Sequence, residues 1–211
     1  MAVAITIIVL VGFLNHDISA NAISVVSTIP VGTGPAGIAI NPHTNTVYVS
    51  NNGGGTVTVI NANANTVTAT IPAGTFPIGI AVNPYNDAVY VENGGSFTLM
   101  VINGHTNTVV KTLSTLGFAR YGVAVNPNTN TVYVTSNSDN LLYVLNGKTN
   151  TVITSISVGS DSSYVAVNTH TNTVYVSNYL DNTISVINAS TNTVTATVSV
   201  GTGPALIAVN P

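Results

Sequence analysis

Val, Ile, Thr and Tyr alternate along this chain in short runs, such as Thr-Val-Thr-Val-Ile-Asn at 56–61, and each run ends close to Asn, Gly or Pro. Alternation with a period of two residues gives an extended strand one apolar and one polar face. β-Branched and aromatic residues suit that pleated, half-buried surface. Helical apolar spacing is found nowhere, so almost no helix is expected. In the first full unit the predicted strands are 37–41, 46–50, 56–61 and 66–71. Asn-Pro, Asn-Gly, Gly-Gly and Gly-Pro dipeptides separate the runs and mark turns.

The runs recur in a fixed order. NPHTNTVYVSN (41–51) returns as NPYNDAVYVEN (83–93), NPNTNTVYVTSN (126–137) and NTHTNTVYVSN (168–178), and a fifth copy starts at Asn210. The leading asparagines stand at 41, 83, 126, 168 and 210, so the steps are 42, 43, 42 and 42. A period of about 40–45 residues made of short strands is the mark of propeller blades. The expected fold is all-β: a β-propeller of four-stranded antiparallel blades, with four full repeats and a partial blade at each end. The repeats fall at 35–73, 77–115, 119–157 and 162–199. A strand-like segment at 24–29 precedes them and a partial strand at 204–211 follows. A lone blade exposes two apolar faces, and stacking on neighbours buries them. The first strand of each unit is expected nearest the axis, where Gly37, Gly79 and Gly122 allow close backbone approach.

The stretches YVSN (48–51), YVEN (90–93), YVTSN (133–137) and YVSN (175–178), with flanks such as GPAGIAINP (34–42), resemble the YVTN-type β-propeller repeat proteins of archaeal and bacterial surface layers and envelopes. The resemblance covers about residues 24–211. It implies a closed propeller, commonly of seven blades, and supplies no enzymatic motif. Four whole repeats fall short of that number. The chain is therefore expected to be a fragment or an open arc, with an apolar blade face and an unpaired edge exposed to self-association.

Composition narrows the picture. Only 4% of residues are charged, the net charge is −3, and solubility rests on Asn, Thr and Ser. Three basic residues in all argue against nucleic acid as a partner, because that affinity is built from several Lys/Arg–phosphate contacts. With no Cys there is no disulfide framework, thiolate metal site or cysteine nucleophile. Residues 2–14 form an apolar run of 13, too short for a bilayer span of about 20. Residues 1–22 read as a signal-like leader with small residues Ala20 and Ala22 before a cleavage point, or as a buried strand. The propeller domain then occupies 23–211. An extracellular, cell-surface or periplasmic location is expected.

Strand alternation divides the turns between two faces. One face carries near-identical Asn/Thr turns: PHTN (42–45), ANAN (62–65), PNTN (127–130), GKTN (147–150), THTN (169–172) and ASTN (189–192). His43, His105 and His170 sit there in separate blades and read as solvated turn residues rather than zinc ligands. The opposite face carries unlike loops, and binding residues concentrate on such loops over a rigid scaffold. Its candidate binding residues are Arg120, Tyr164, Tyr179, Asp139, Asp161 and Asp181, accompanied by Glu92, Phe76, Phe118 and Tyr121. One carboxylate per loop is thin for calcium, which takes six to eight oxygens. Gly53-Gly54-Gly55 lacks the Lys-Ser/Thr and helix of a phosphate loop. No nucleophile elbow, catalytic residue, metal site or cofactor motif is found. The expected function is a non-enzymatic structural or binding module that engages a protein or a cell-surface polymer. The alternative is a propeller lyase, hydrolase or quinone-dependent oxidoreductase with catalytic groups in blades outside this chain.

Overall fold

The computed structural model describes residues 25–114 and 122–210. Sixteen strands form four separate antiparallel sheets of four, each in sequential order. Blade 1 comprises β1 (Pro35–Asn41), β2 (Thr46–Asn51), β3 (Thr56–Asn61) and β4 (Thr66–Pro72). Blade 2 comprises β5 (Pro77–Asn83), β6 (Ala88–Asn93), β7 (Thr98–Asn103) and β8 (Thr108–Ser114). Blade 3 comprises β9 (Val123–Asn126), β10 (Thr131–Ser136), β11 (Leu141–Asn146) and β12 (Thr151–Ser157). Blade 4 comprises β13 (Ser162–Asn168), β14 (Thr173–Asn178), β15 (Thr183–Asn188) and β16 (Thr193–Ser199). No helix occurs among the described residues. Among the described residues these four sheets are propeller blades that do not close into a ring.

Turn chemistry explains the sharp strand boundaries. Every four-residue turn on the uniform face ends in a left-handed residue: Asn45, Asn65, Asp87, Asn107, Asn130, Asn150, Asn172 and Asn192, with φ between 49° and 56°. Asn and Asp reach this conformation more cheaply than other side chains, which is why the repeat keeps Asn or Asp there. The asparagine ahead of each turn folds its Oδ1 back to accept backbone N–H groups, as Asn41 does from His43 at 3.0 Å and Asn61 from Asn63 at 2.9 Å.

The core lies between sheets. Tyr48, Val57, Val59 and Ile71 of blade 1 pack against Val89, Val91, Met100 and Ile102 of blade 2. Blades 2 and 3 meet through Tyr90, Leu99 and Val101 on one side and Val123, Val132, Val134 and Leu145 on the other. Blades 3 and 4 repeat the arrangement with Tyr133, Leu142, Val144 and Ile156 against Val174, Val176 and Ile187. The middle strands of blades 2 and 3, such as β6, β7 and β10, thus bury both faces, one toward each neighbouring blade, while the outer strands β4, β8, β12 and β16 stay largely exposed. Adjacent blades approach most closely through β1, β5, β9 and β13, which places these strands innermost. Close approach explains the glycines: a Cβ on Gly37 would run into the Ile78 carbonyl of the next blade, and one on Gly122 would lie 2.6 Å from the Ser163 carbonyl.

The two end segments were expected as strands, and neither belongs to a ladder. Residues 25–31 have no strand partner among the described residues, yet Ile29 and Val31 cover Val47, Val49 and Ile60 of blade 1. Residues 204–210 also lack a ladder, because among the described residues no strand pairs with them. The signal-like stretch at 1–22 lies outside the described residues.

Candidate functional site

The turns between second and third strands, and the segments that lead into each first strand, cluster at one end of the blades. Backbone hydrogen bonds tie them together: Asn52 N–H donates to Gly34 O at 2.7 Å, Gly94 N–H to Phe76 O at 2.9 Å, and Tyr179 N–H to Asp161 O at 3.1 Å. The unlike loops are therefore seated on one rigid rim.

Over blades 3 and 4 this rim joins four of the residues singled out from sequence. The Asp139 carboxylate accepts from Ser136 Oγ at 3.1 Å, Ser138 Oγ at 2.9 Å and Tyr143 Oη at 3.2 Å. Asp161 sits in a left-handed conformation (φ 53°), accepts from Asn137 Nδ2 at 3.0 Å, and donates its own N–H to Asn140 Oδ1 at 3.0 Å. Asp181 accepts from the Ser160 N–H at 2.7 Å. Tyr179, two residues before Asp181 in the same loop, is 46% exposed. Burial, then the hydrogen bond and charge of Asp139, push the Tyr143 hydroxyl above its usual range. The three carboxylates thus brace loops. Among the described residues no group of three His, Asp or Glu side chains is placed to hold a metal ion. Tyr164 is the third residue of β13, the innermost strand of blade 4; it is half-buried, and its N–H donates to Ser177 Oγ at 3.1 Å. Arg120, Phe118 and Tyr121 lie outside the described residues.

One of the sequence assignments changes. Glu92 is a buried residue of β6, 3% exposed, and not a loop group. It stands where the other blades have Ser50, Thr135 and Ser177. Those three hydroxyls each donate to a carbonyl 28 residues on: Ile78, Ser163 and Ala205, at 2.7, 3.0 and 3.1 Å. The same step from Glu92 ends at Arg120 in the sequence. On the uniform face, His43 is exposed but engaged: its ring stacks on Tyr85 with centroids 5.5 Å apart, and Nδ1 lies 2.9 Å from the Pro84 carbonyl. His105 and His170 are exposed turn residues.

Sequence reading passed over the backbone cost of two aromatic residues. Phe76 and Phe97 have φ of 53° and 54° and are 53% and 47% exposed. The equivalent positions in other blades are Gly34, Asp161 and Gly203 for Phe76, and Gly55, Asn140 and Asn182 for Phe97. A bulky side chain at positive φ is strained. Such strain gathers at functional sites. With Tyr179 and Leu180, these residues set large apolar groups in solvent on the loop end of blades 2 and 4.

Four stacked antiparallel sheets with their core between sheets, loops of one kind at one end and unlike loops at the other, define a β-propeller protein. The chain belongs to the YNCE-like beta-propeller family, whose model matches residues 14–177. This match supports a β-propeller family but not the specific YVTN repeat class that the motifs resemble. No curated protein matches this chain. Among solved structures it is similar to Kuenenia stuttgartiensis hydrazine synthase, with a TM-score of 0.73 and 20% identity over 89% of this chain. The chain spans about half, 52%, of that protein's chain, and at this identity the likeness is one of fold.

Proposed function

We propose that this protein is a non-enzymatic propeller module of the cell surface or envelope that binds a protein or a cell-surface polymer through its varied loop end. One observation carries the reading: large apolar side chains, Phe76, Phe97, Tyr179 and Leu180, are held in solvent at that end, two of them at a backbone cost, while the opposite end repeats one Asn/Thr turn and exposes a single large aromatic among the described residues, Tyr85, which stacks on His43. Exposed apolar groups on rigid loops suit recognition. The low charge favours an uncharged or weakly charged partner surface, since electrostatic steering has little to act on. Similarity to an enzyme of known fold raises the alternative of a propeller enzyme. The described innermost strands carry no Asp, Glu, His or Arg, so catalysis near the axis would need groups from elsewhere. The test is binding of the purified chain to envelope and wall fractions of its source cells. The double variant Tyr179→Ala/Leu180→Ala should lose binding, and Thr149→Ala on the uniform face should keep it. Equal binding by both variants rejects the loop end as the site, and exclusive recovery of the native protein from the cytoplasm rejects the location.

A further inference from the structure

Asn-Gly is the dipeptide at which a backbone nitrogen most readily attacks the side chain before it, because glycine has no Cβ to hinder the approach. The chain holds four such pairs: Asn52-Gly53, Asn93-Gly94, Asn103-Gly104 and Asn146-Gly147. The fold locks three of them. Gly94 N–H donates to Phe76 O at 2.9 Å, Gly104 N–H to Asp87 O at 2.8 Å, and Gly147 N–H to Asn130 O at 2.8 Å. Their asparagine side chains are held as well. Asn93 Oδ1 accepts Gly74 N–H at 3.1 Å, Asn103 Oδ1 accepts His105 N–H at 2.9 Å, and Asn146 Oδ1 accepts Lys148 N–H at 2.8 Å.

The fourth pair escapes because its loop is slipped by one residue. In blades 2 and 4, Gly95 N–H donates to Thr75 O at 2.9 Å and Leu180 N–H to Ser160 O at 3.3 Å. The equivalent donor in blade 1 is Gly53 N–H, and the equivalent acceptor is Thr33 O. That carbonyl instead accepts Gly54 N–H at 3.0 Å. Among the described residues Gly53 N–H therefore has no acceptor, and the half-buried side chain of Asn52 has no hydrogen bond. Gly53 and Gly54 are exposed, so water reaches the pair. Three glycines in a row, 53–55, let the backbone turn towards the side chain.

We propose that Asn52 is a self-modification site, where the loop of blade 1 converts a side-chain amide into a carboxylate with water as the only co-reactant. The Gly53 nitrogen gives its proton to solvent and attacks Asn52 Cγ. The bond from Gly53 N to Cγ forms, the Cγ–Nδ2 bond breaks, and Nδ2 takes a proton from solvent and leaves as ammonia. One water then opens the five-membered imide. Opening at one carbonyl gives aspartate. Opening at the other gives isoaspartate, with the main chain routed through Cβ and Cγ. Either product adds a negative charge to the varied loop end of a chain in which only 4% of residues are charged. Isoaspartate also lengthens the backbone by one carbon between two anchored groups: Asn52 N–H, which donates to Gly34 O at 2.7 Å, and Gly54 N–H, which donates to Thr33 O.

The test incubates the full chain at mildly alkaline pH in water enriched in oxygen-18, once folded and once in denaturant, and follows each asparagine by proteolysis and peptide mass spectrometry. In the folded chain Asn52 should exchange its amide nitrogen for one heavy oxygen at least tenfold faster than Asn93, Asn103 or Asn146. In denaturant that tenfold preference should vanish, since all four pairs are then equally free. Isoelectric focusing of the folded chain should show an acidic band growing at the same rate as the Asn52 conversion, and Asn52→Gln should lose that band. A folded Asn52 that reacts no faster than the other three overturns the proposal. So does a tenfold preference that persists in denaturant, or an acidic band that survives in Asn52→Gln.

Discussion

The side-chain amide of Asn83 in blade 2 donates to Oδ1 of Asn130 in blade 3 across 2.8 Å, while its own Oδ1 accepts the Tyr85 N–H at 3.0 Å. One buried side chain thus closes its own turn and clasps the next blade. Asn41 does the same to Asp87 at 2.6 Å, and Asn126 to Asn172 at 2.8 Å. The acceptor is always the left-handed residue of the neighbouring turn. The left-handed turn residue therefore shapes the hairpin and presents a fixed acceptor at the blade interface.

Asn83→Ala should cost about 2 kcal/mol of stability, because it strands buried donors and acceptors on both sides of the interface. Asn103→Ala removes only an exposed turn cap, the acceptor of His105 N–H and Thr106 N–H, and should cost ~0.5–1 kcal/mol. Urea unfolding of the two variants measures the difference, and equal losses would dismiss the clasp.

Gly37→Ala should destabilise by about 1–3 kcal/mol, the range for overpacking. The obstacle is the Ile78 carbonyl of the adjacent blade, a backbone atom that cannot rotate away. Gly201→Ala meets nothing within 4 Å and serves as the control in thermal unfolding.

Alkaline pH should loosen the blade stack. Tyr90 is fully buried, its hydroxyl lies 3.4 Å from Gly147 O and 3.3 Å from Asn150 Oδ1, and burial pushes its pKa up to about 12. Burial also raises Tyr48, with Asp87 adding to the rise, and Tyr133. The folded chain holds these protons where the unfolded chain, titrating near 10, releases them. Their stabilising contribution is therefore full below about pH 10 and falls as pH rises from about 10 towards 12. Denaturant midpoints across that window should drop, and Tyr90→Phe should make the drop shallower.

Phe76→Asn should leave stability unchanged or raise it by up to about 1 kcal/mol, since Asn tolerates φ of 53° better than Phe. If the exposed ring serves recognition, the same variant should bind envelope fractions more weakly. A gain in stability with no change in binding would detach the strain from function.

Strand positions, turn positions and the antiparallel order of the blades were legible in the chain, because a two-residue apolar period and Asn-closed turns act locally. Predicted segments such as 56–61 and 66–71 coincide with β3 and β4 to within a residue. The glycine role at position 37 was legible from the repeat, which puts a glycine at the head of the innermost strand in three units. Less local features were not. A bulge recurs between third and fourth strands of every blade, after Val59, Val101, Val144 and Val186, and no residue type announces it. The clasp of Asn83 on Asn130 joins residues 47 apart, so sequence shows each only as a turn residue.

By itself the sequence determined that this chain builds small repeating sheets with one uniform and one varied set of loops, since backbone preference and side-chain alternation operate within a few residues. Stacking alone decided which groups became partners. It buried Glu92, turned Asp139, Asp161 and Asp181 into loop braces, and left Phe76 in solvent at positive φ. The physical reason is that burial and hydrogen-bond choice belong to surfaces brought together from different blades, and a residue's neighbours along the chain do not specify what will cover it.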